Sequence, residues 1–209
     1  MPALVDPKPP LLQMLDQGDP GRGPYAALRQ QACQRLRELS FPTSRTEDWR
    51  FTNIAGLLET PFVPAAFPAD LERLPLPAAA AAAALRLFFV NGRFVPALSA
   101  RNGVPRGLLL GNLANPQAEA AQALEGHLGR MVNFRDQVFP ALNTALLADG
   151  AYVVVLDEAV IDQPIDIVHL SAPGRDRAVS QPRTLIVVQP GAQVRIAERY
   201  LGAGAYFTN

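Results

Sequence analysis

Four neighbouring acidic residues are the side chains best suited to metal chemistry in this 209-residue sequence. Asp157, Glu158, Asp162 and Asp166 surround one predicted turn, and carboxylate oxygens are the ligands that hard divalent cations prefer. One interpretation is therefore a small metal-dependent enzyme that uses an acidic turn at Asp157–Asp166. The sequence favours another interpretation, in which these are solvated charges at a strand edge, because sheets commonly protect their edges with charge.

Histidine and cysteine are scarce. The sequence has a single cysteine, Cys33, and two histidines, His127 and His169, whereas a zinc or iron–sulfur site needs several such ligands. Cys33 is predicted to be a small buried residue on the first helix. His127 is predicted to follow the C-terminus of a helix, where it suits the helix dipole, and His169 is predicted to be a hydrogen-bonded histidine within a strand.

The most distinctive segment surrounds Trp49, the only tryptophan. Carboxylates can act as general acids or bases, but the sequence offers Glu47 and Asp48 no evident second group for such work. The favoured interpretation is that the Trp49 ring packs inward while the neighbouring charges pair outside it. Ser44 and Glu47 have the spacing of a capping box, which predicts a short helix starting there.

The composition excludes several classes of protein. Basic and acidic residues are equal in number, 19 of each, which argues against a dedicated nucleic-acid binder because phosphate binding needs a basic surface. The longest apolar run, residues 78–85, is too short to cross a bilayer, and the first residues do not resemble a signal peptide. These features predict a cytoplasmic protein with no nucleic-acid or membrane partner.

Apolar spacing and turn residues predict the elements that carry these side chains. The expected helices and hairpin precede residue 151: a helix from Pro24 to about Ser40, a hairpin at Asn91-Gly92, a strand at 108–110, a helix from Asn115-Pro116 to 124, and a helix over 134–146 that stops at Asp149-Gly150. Later residues predict strands at 152–156, 165–170, 184–189 and 193–200.

The sequence thus predicts an α+β fold in three parts. Residues 1–84 are expected to be a helical N-terminal domain with a Pro/Ala-rich linker, residues 85–150 a hairpin plus helices, and residues 151–209 a β-rich part. A sandwich, a barrel or a solenoid would each give the strand pattern of that last part. A carbohydrate-binding β module is a further interpretation, although aromatic residues are only 7% of the chain, too few for an obvious stacking platform.

Several motifs, in order along the chain, resemble the SufD family of iron–sulfur cluster assembly proteins. The first is the segment Arg45-Thr-Glu47-Asp-Trp49-Arg-Phe-Thr, in which Glu47 follows Arg45 by two positions where the family has three. The other matching residues lie farther along the chain: Asn91, Gly92, Asn143, Asp149, Gly150, Arg183 and Glu198. They resemble the family's hairpin, a helix end and the entry into its β core. The related SufB subunit matches less well, because its N-terminus differs.

The resemblance implies a helical N-terminal domain followed by the first rungs of a right-handed parallel β-helix. It also implies a non-catalytic subunit that works with a SufB-like scaffold and a SufC-like ABC ATPase, or as a homodimer when SufB is absent. The iron–sulfur cluster would belong to the complex, so no catalytic, cofactor-binding or metal residue is transferred to this chain. The matching residues are expected to be fold determinants, and the chain is expected to be the N-terminal part of a longer protein.

Overall fold

The helical part of the protein comes first in the chain. A computed structural model describes residues 9–17, 23–71, 74, 84–172, 177–202 and 206–208. The helices and 3-10 segments are Pro10–Gln17 (3-10), α1 (Ala26–Glu38), Glu47–Trp49 (3-10), α2 (Ala55–Glu59), Pro96–Leu98 (3-10), α3 (Ala118–His127) and α4 (Val138–Ala145). Among the described helices, none combines the length and the hydropathy that crossing a membrane requires.

The first helix, α1, packs against α4. Apolar residues three and four positions apart place Ala32, Cys33 and Leu36 on one buried face of α1. They share a buried cluster with Val138 and Leu142 of α4. The predicted helix is confirmed, and so is the burial of Cys33, which is 7% exposed.

The predicted starts of α1 and α3 lie too early in the chain. Pro24 lies before α1, because Tyr25 adopts a left-handed conformation with φ 62° and the helix begins at Ala26. The next helix, α3, begins at Ala118 rather than at Asn115-Pro116. The backbone N–H of Gln117, just before α3, donates to the hydroxyl of Tyr152 at 3.2 Å. A side chain from a distant strand therefore helps to position the start of α3, and no local sequence signal shows it.

Both ends of α4 differ from the predicted helix over 134–146, since the helix begins at Val138. The helix stops at Ala145, and Gly150 instead opens a strand. Pro140 lies in the first turn of α4, where backbone N–H groups have no intrahelical partner and proline is tolerated. His127 is the last residue of α3, which extends beyond the predicted helix end at 124.

The described strands form three sheets. Sheet A contains β1 (Val63–Pro64), β8 (Ala178–Ser180) and β11 (Tyr206–Thr208). Sheet B contains β2 (Leu85–Val90), β3 (Arg93–Phe94), β4 (Ala100–Arg101), β7 (Ile165–Ser171) and β10 (Ile196–Gly202). Sheet C contains β5 (Leu108–Asn112), β6 (Gly150–Val155) and β9 (Arg183–Val188). The protein is thus mixed α+β.

Most of the predicted strands are confirmed. Phe89 pairs with Phe94 across the Asn91-Gly92 turn, so β2 and β3 form the predicted antiparallel hairpin. The other predicted strands correspond to β5, β6, β7, β9 and β10. The sequence does not predict β8 and β11, because three-residue strands are too short to show an alternating pattern.

From Gly150 onward the chain passes through sheets C, B and A, and then repeats the passage. Strands β6, β7 and β8 pair in parallel with β9, β10 and β11, respectively. Gly150 lies opposite Arg183, and Ile165 lies opposite Ile196. An isolated parallel bridge between Val160 and Gln193 lies between these two pairs of strands. Two successive circuits of the chain therefore stack on each other.

The main β core lies between sheets B and C. Leu87 and Ile167 from sheet B share a buried cluster with Val153 from sheet C. The side chains on the other face of sheet C pack against α3, where Leu124 lies in one cluster with Tyr152. Successive side chains of the sheet C strands thus point alternately into two apolar layers, one shared with sheet B and one shared with α3.

Part of the predicted linker belongs to a sheet. Val63 and Pro64 pair in parallel with Ala178 and Val179, and the N–H of Ala65 donates to the Val179 carbonyl oxygen at 2.8 Å. These two residues thus form a short edge strand within the predicted linker, a position where proline is tolerated. Residues 72–73 and 75–83, with most of the polyalanine run, lie outside the described residues.

Candidate functional site

Several motif residues meet at a polar junction where the β8–β9 connection passes α4. Asn143 donates from Nδ2 to the Pro182 carbonyl oxygen at 3.0 Å, and its Oδ1 accepts a hydrogen bond from Nε of Arg183 at 2.7 Å. Nη2 of Arg183 donates to the Thr144 hydroxyl at 2.9 Å. Burial lowers the pKa of Arg183, but a guanidinium stays charged at neutral pH. The junction therefore binds a partly buried cation through neutral oxygens.

Asp149 forms a second buried polar centre beside this junction and is 6% exposed. Its carboxylate accepts hydrogen bonds from Nδ2 of Asn112 at 3.1 and 3.2 Å, and from the backbone N–H groups of Phe94 at 3.0 Å, Ala114 at 2.9 Å and Gly150 at 2.8 Å. These donors come from the hairpin, the end of β5 and the start of β6. The carboxylate is thus engaged in joining three segments.

Gly150 is needed because two strands approach closely. A Cβ atom at this position would lie 1.8 Å from the carbonyl oxygen of Arg183. That distance is far below van der Waals contact, so any side chain would push β6 away from β9.

The Asn91-Gly92 turn joins the same region. Asn91 has φ 50°; its Nδ2 donates to the carbonyl oxygens of Ala66 at 2.6 Å and Ala172 at 2.9 Å, and its Oδ1 accepts from the Ala172 N–H at 2.7 Å. Gly92 has φ 75°, and a Cβ there would lie 3.3 Å from that of Ser180. The turn is thus bonded to the segment after β1 and to the end of β7. That these motif residues are fold determinants stays a prediction.

His169 and Glu198 form a polar cluster at the inner face of β7 and β10. Nε2 of His169 lies 3.0 Å from Oε1 of Glu198, so the tautomer that carries hydrogen on Nε2 donates to the carboxylate. The hydroxyl groups of Thr184 and Tyr200 donate to the same oxygen. The imidazole is stacked between Phe89, at 5.1 Å between ring centroids, and Tyr200, at 4.7 Å.

This cluster changes the pKa values of its members. The hydrogen bond from His169 lowers the pKa of Glu198, burial opposes this effect, and the Thr184 hydroxyl adds to it. Burial and the Glu198 charge raise the pKa of Tyr200 to about 12. His169 is 4% exposed, and its Nδ1 has no hydrogen-bond partner among the described residues. The predicted strand histidine is therefore bonded through one nitrogen and shielded from any substrate in solvent.

The sequence does not reveal that Glu198 bonds to His169. The parallel register of β7 and β10 brings the two together, because it places Tyr200 opposite His169 and Glu198 opposite Ile167. The sequence marks Glu198 only as a motif residue. Its contact with His169 could be inferred only if the pairing of two strands far apart in sequence, and their shared inward face, were already known.

The Trp49 segment forms a single exposed 3-10 turn beside α4. Thr46 precedes this turn, and Ser44 makes no capping contact with it in the described structure, so the predicted capping box is wrong. The Trp49 ring packs inward, as predicted, and stacks on Phe139 at 5.3 Å. The side chains of Arg45 and Glu47 are exposed, and the described residues show no ion pair for either of them, contrary to the predicted charge pairing.

Comparison with known proteins assigns the chain to a family. Residues 23–167 match the model of the SufBD protein N-terminal region, which is more than half of the chain. The chain belongs to the SufBD family. An iron–sulfur cluster assembly SufBD family protein of Synechocystis sp. is 35% identical over 185 residues, which cover 87% of this chain and 39% of that protein. The iron–sulfur cluster assembly protein SufD of Escherichia coli is 26% identical over 200 residues, covering 90% of this chain and 43% of that protein.

The resemblance found from the motifs is thereby confirmed at the level of the SufBD family. The chain spans less than half the length of either of these curated relatives. Family membership therefore applies to the segment at hand, and the activity and partners of a whole SufBD protein are matters for proposal.

The acidic stretch of this SufBD chain does not gather its carboxylates at one place in the described structure. Asp157, Glu158 and Asp162 are exposed, whereas Asp166 is 4% exposed. Oδ1 of Asp166 lies 2.9 Å from Nε of Arg199. The two groups form an ion pair, but the geometry of the contact is not that of a hydrogen bond. Within the described part of the chain, no group of three or more His, Cys, Asp or Glu side chains is placed to hold a metal ion. The described residues therefore give no support to the metal-enzyme interpretation, and the prediction of solvated edge charges is wrong for the buried Asp166.

Cys33 and His127 of the SufBD chain remain separate from these centres. Burial raises the pKa of the Cys33 thiol, which disfavours the nucleophilic thiolate. His127 is exposed at the end of α3. Neither side chain belongs to the junction or to the Glu198 cluster.

Proposed function

We propose that this chain acts as a SufD-like subunit of the SUF iron–sulfur cluster assembly complex, with a SufB-like scaffold and a SufC-like ABC ATPase. The observation that carries the proposal is the family match over residues 23–167. The two named relatives support it, since both are iron–sulfur cluster assembly proteins and one is SufD. A homodimer would form when the scaffold is absent.

The proposed architecture is a helical N-terminal domain leading into the first rungs of a right-handed parallel β-helix. Support comes from the parallel pairing of β6, β7 and β8 with the three strands that follow them. Right-handed crossovers are the rule for parallel strands. Ile186 and Val188 lie opposite the inward-facing Val153 and Val155 and are each 45% exposed, so a further circuit stacked on β9 would bury them.

The proposed role is structural, without catalysis by this chain. In support, His169 is enclosed and Asp149 is occupied by hydrogen bonds from the protein itself. In this proposal the complex, in the cytoplasm, would hold the iron–sulfur cluster, and this subunit would contribute surfaces for assembly.

A tagged pull-down from the native host tests the assembly role. The chromosomal gene would carry an N-terminal tag, and the recovered proteins would be identified and their stoichiometry measured by mass spectrometry. We expect an ABC-type ATPase and a SufB-like scaffold to copurify with the tagged protein. The same tag on an unrelated cytoplasmic protein is the control. Recovery of the tagged protein without either partner would overturn the proposal.

A measurement of bound iron tests the proposal that this chain holds no metal ion by itself. The purified 209-residue chain, incubated with ferrous iron and desalted without oxygen, is expected to retain far less than one iron per chain. Stoichiometric iron with a saturable spectrum would show that the chain itself binds metal and would count against the assigned role.

A further inference from the structure

The exposed Trp49 turn and the start of α4 enclose an open groove of about 730 Å³. Three aromatic side chains contribute to its lining: Phe139 stacks on Trp49 at 5.3 Å and meets Phe41 edge-on at 5.7 Å between ring centroids. Ile54, Leu57 and Val138 extend the apolar lining. The groove therefore offers aromatic and aliphatic side chains on a surface that also carries the first motif.

The charged residues that line this groove are acidic. Asp48 and Asp136 are both exposed members of the lining, and none of the described lining residues is lysine or arginine. Oδ2 of Asp136 accepts a hydrogen bond from Nδ2 of Asn133 at 3.2 Å, which leaves its other oxygen for a further donor. The groove is thus complementary to a cation that also presents a flat face.

We propose that this groove docks an extended segment of a partner protein through an arginine side chain flanked by aliphatic residues. A guanidinium stacks on aromatic rings and pairs with carboxylates, and the lining of the groove offers both kinds of group. A lysine ammonium matches the charge but not the flat stacking surface. The flanking aliphatic side chains would pack on Ile54 and Leu57.

The docking surface is independent of the proposed assembly role, since it rests on the geometry of the groove alone. It also gives the Trp49 turn a function beyond packing. Arg45, just before this turn, and Glu47, its first residue, are exposed as well.

Trp49 provides the measurement, because it is the only tryptophan in the chain. The 209-residue chain would be titrated with the peptide acetyl-Ala-Leu-Arg-Leu-Ala-amide while tryptophan fluorescence is recorded. The matched control peptide carries citrulline in place of arginine, which keeps the shape and removes the charge. We expect a saturable fluorescence change with the arginine peptide, and binding at least about tenfold weaker with the citrulline peptide.

Three variants assign the effect to the groove. Asp48→Asn and Asp136→Asn should each weaken binding of the arginine peptide by about three- to tenfold. Asp157→Asn removes an exposed carboxylate outside the groove and should leave binding unchanged. Circular dichroism would verify that each variant is folded, and either groove variant alone is informative if the other fails to fold.

Three results would overturn the proposal. Equal binding of the citrulline peptide would mean an uncharged apolar occupant. Unchanged binding by both groove variants would place the peptide elsewhere. A fluorescence change that depends on protein concentration without peptide, accompanied by self-association in sedimentation velocity, would mean that a second copy of this chain occupies the groove.

Discussion

One carboxylate oxygen of Glu198 binds three side chains that lie on three different strands. His169 and Tyr200 lie opposite each other on β7 and β10, and Thr184 lies on β9 of sheet C. All three donate to Oε1 of Glu198. The charge of Glu198 therefore contributes to the contact between sheets B and C, and its protonation should weaken that contact.

Substitution of Glu198 tests this contribution through its pH dependence. The pKa of Glu198 is lowered below its ordinary value of 4.5 in the folded protein, so the folded state binds a proton less readily than the unfolded state. The resulting stability is present above pH 4.5 and is lost as the pH falls through the folded pKa. We expect Glu198→Gln to lower the unfolding free energy at neutral pH by less than about 1 kcal/mol, because the side chain is 31% exposed.

Urea unfolding over a series of pH values measures the effect. The difference between wild type and Glu198→Gln should close as the pH falls below 4.5. At neutral pH, the exposed-residue control Glu47→Gln should change the unfolding free energy by no more than about 0.5 kcal/mol. A difference that persists undiminished into acid would show that the charge of Glu198 is not what stabilises the fold.

At the residue scale, sequence reasoning located side chains better than it located their partners. The lone cysteine on the apolar face of a predicted helix is buried as expected, since periodicity alone determines that face. Asp149 was singled out only as part of a helix end, yet it accepts hydrogen bonds from segments near residues 94 and 112. Such contacts depend on tertiary structure, and no local pattern encodes them.

At the scale of elements, the contact between β6 and β9 depends on one position without a side chain. Gly150 begins β6 directly opposite Arg183, and this is where a Cβ would meet the backbone carbonyl. The close approach also brings Arg183 within reach of Asn143 at the end of the chain's last described helix, α4. A larger residue would therefore disturb the strand pair and the polar junction together.

Gly150→Ala is expected to destabilise the protein by about 2 kcal/mol or more, because overpacking against the backbone cannot be relieved by a rotamer change. The matched control is Gly126→Ala in α3, where a Cβ would meet nothing within 4 Å. That substitution should stabilise the protein by about 0.5–1 kcal/mol, since alanine favours a helix. Thermal and urea unfolding compare the two variants, and equal effects would rule out a steric requirement at Gly150.

The boundaries of the elements were harder to predict than their existence. Apolar periodicity indicated α1 and α4, while proline and asparagine signals placed helix starts too early. The actual start of α3 coincides with a hydrogen bond to Tyr152, and β1 exists because β8 lies beside it. In both cases a partner distant in sequence overrides the local signal.

At the scale of the whole molecule, the two stacked circuits define which strands are enclosed. Strand β7 pairs with β2 on one side and β10 on the other. Within the described part of the chain, β10 has β7 as its only paired neighbour. The backbone amides of these two strands should therefore differ in how often they open to solvent.

Hydrogen exchange of the 209-residue chain tests this difference. We expect the mean exchange rate in β7, residues 165–171, to be at least about tenfold slower than in β10, residues 196–202, because strands with fewer pairing partners open at lower cost. Equal protection in a sample shown to be monomeric would contradict the described pairing. Both strands are measured in the same protein sample, so differences in global stability cannot produce the difference between them.

The order of strands along the chain was predictable, whereas their pairing was not. Alternating runs separated by turns fit a sandwich, a barrel or a solenoid equally well, because each buries one face of every strand. The register between β7 and β10 joins residues about thirty positions apart, a separation typical of stacked repeats. Two circuits give too little repetition for that period to appear as similarity in the sequence.

The pairing of β1 with β8 has a consequence for synthesis on the ribosome. Val63 emerges long before Ala178, its partner in sheet A, and at ordinary translation rates the interval is on the order of ten seconds. During that interval β1 has been synthesised but its partner strand β8 has not, so β1 stays unpaired. Slow elongation before residue 178 would lengthen the time for which this edge is exposed to chaperones and to neighbouring nascent chains.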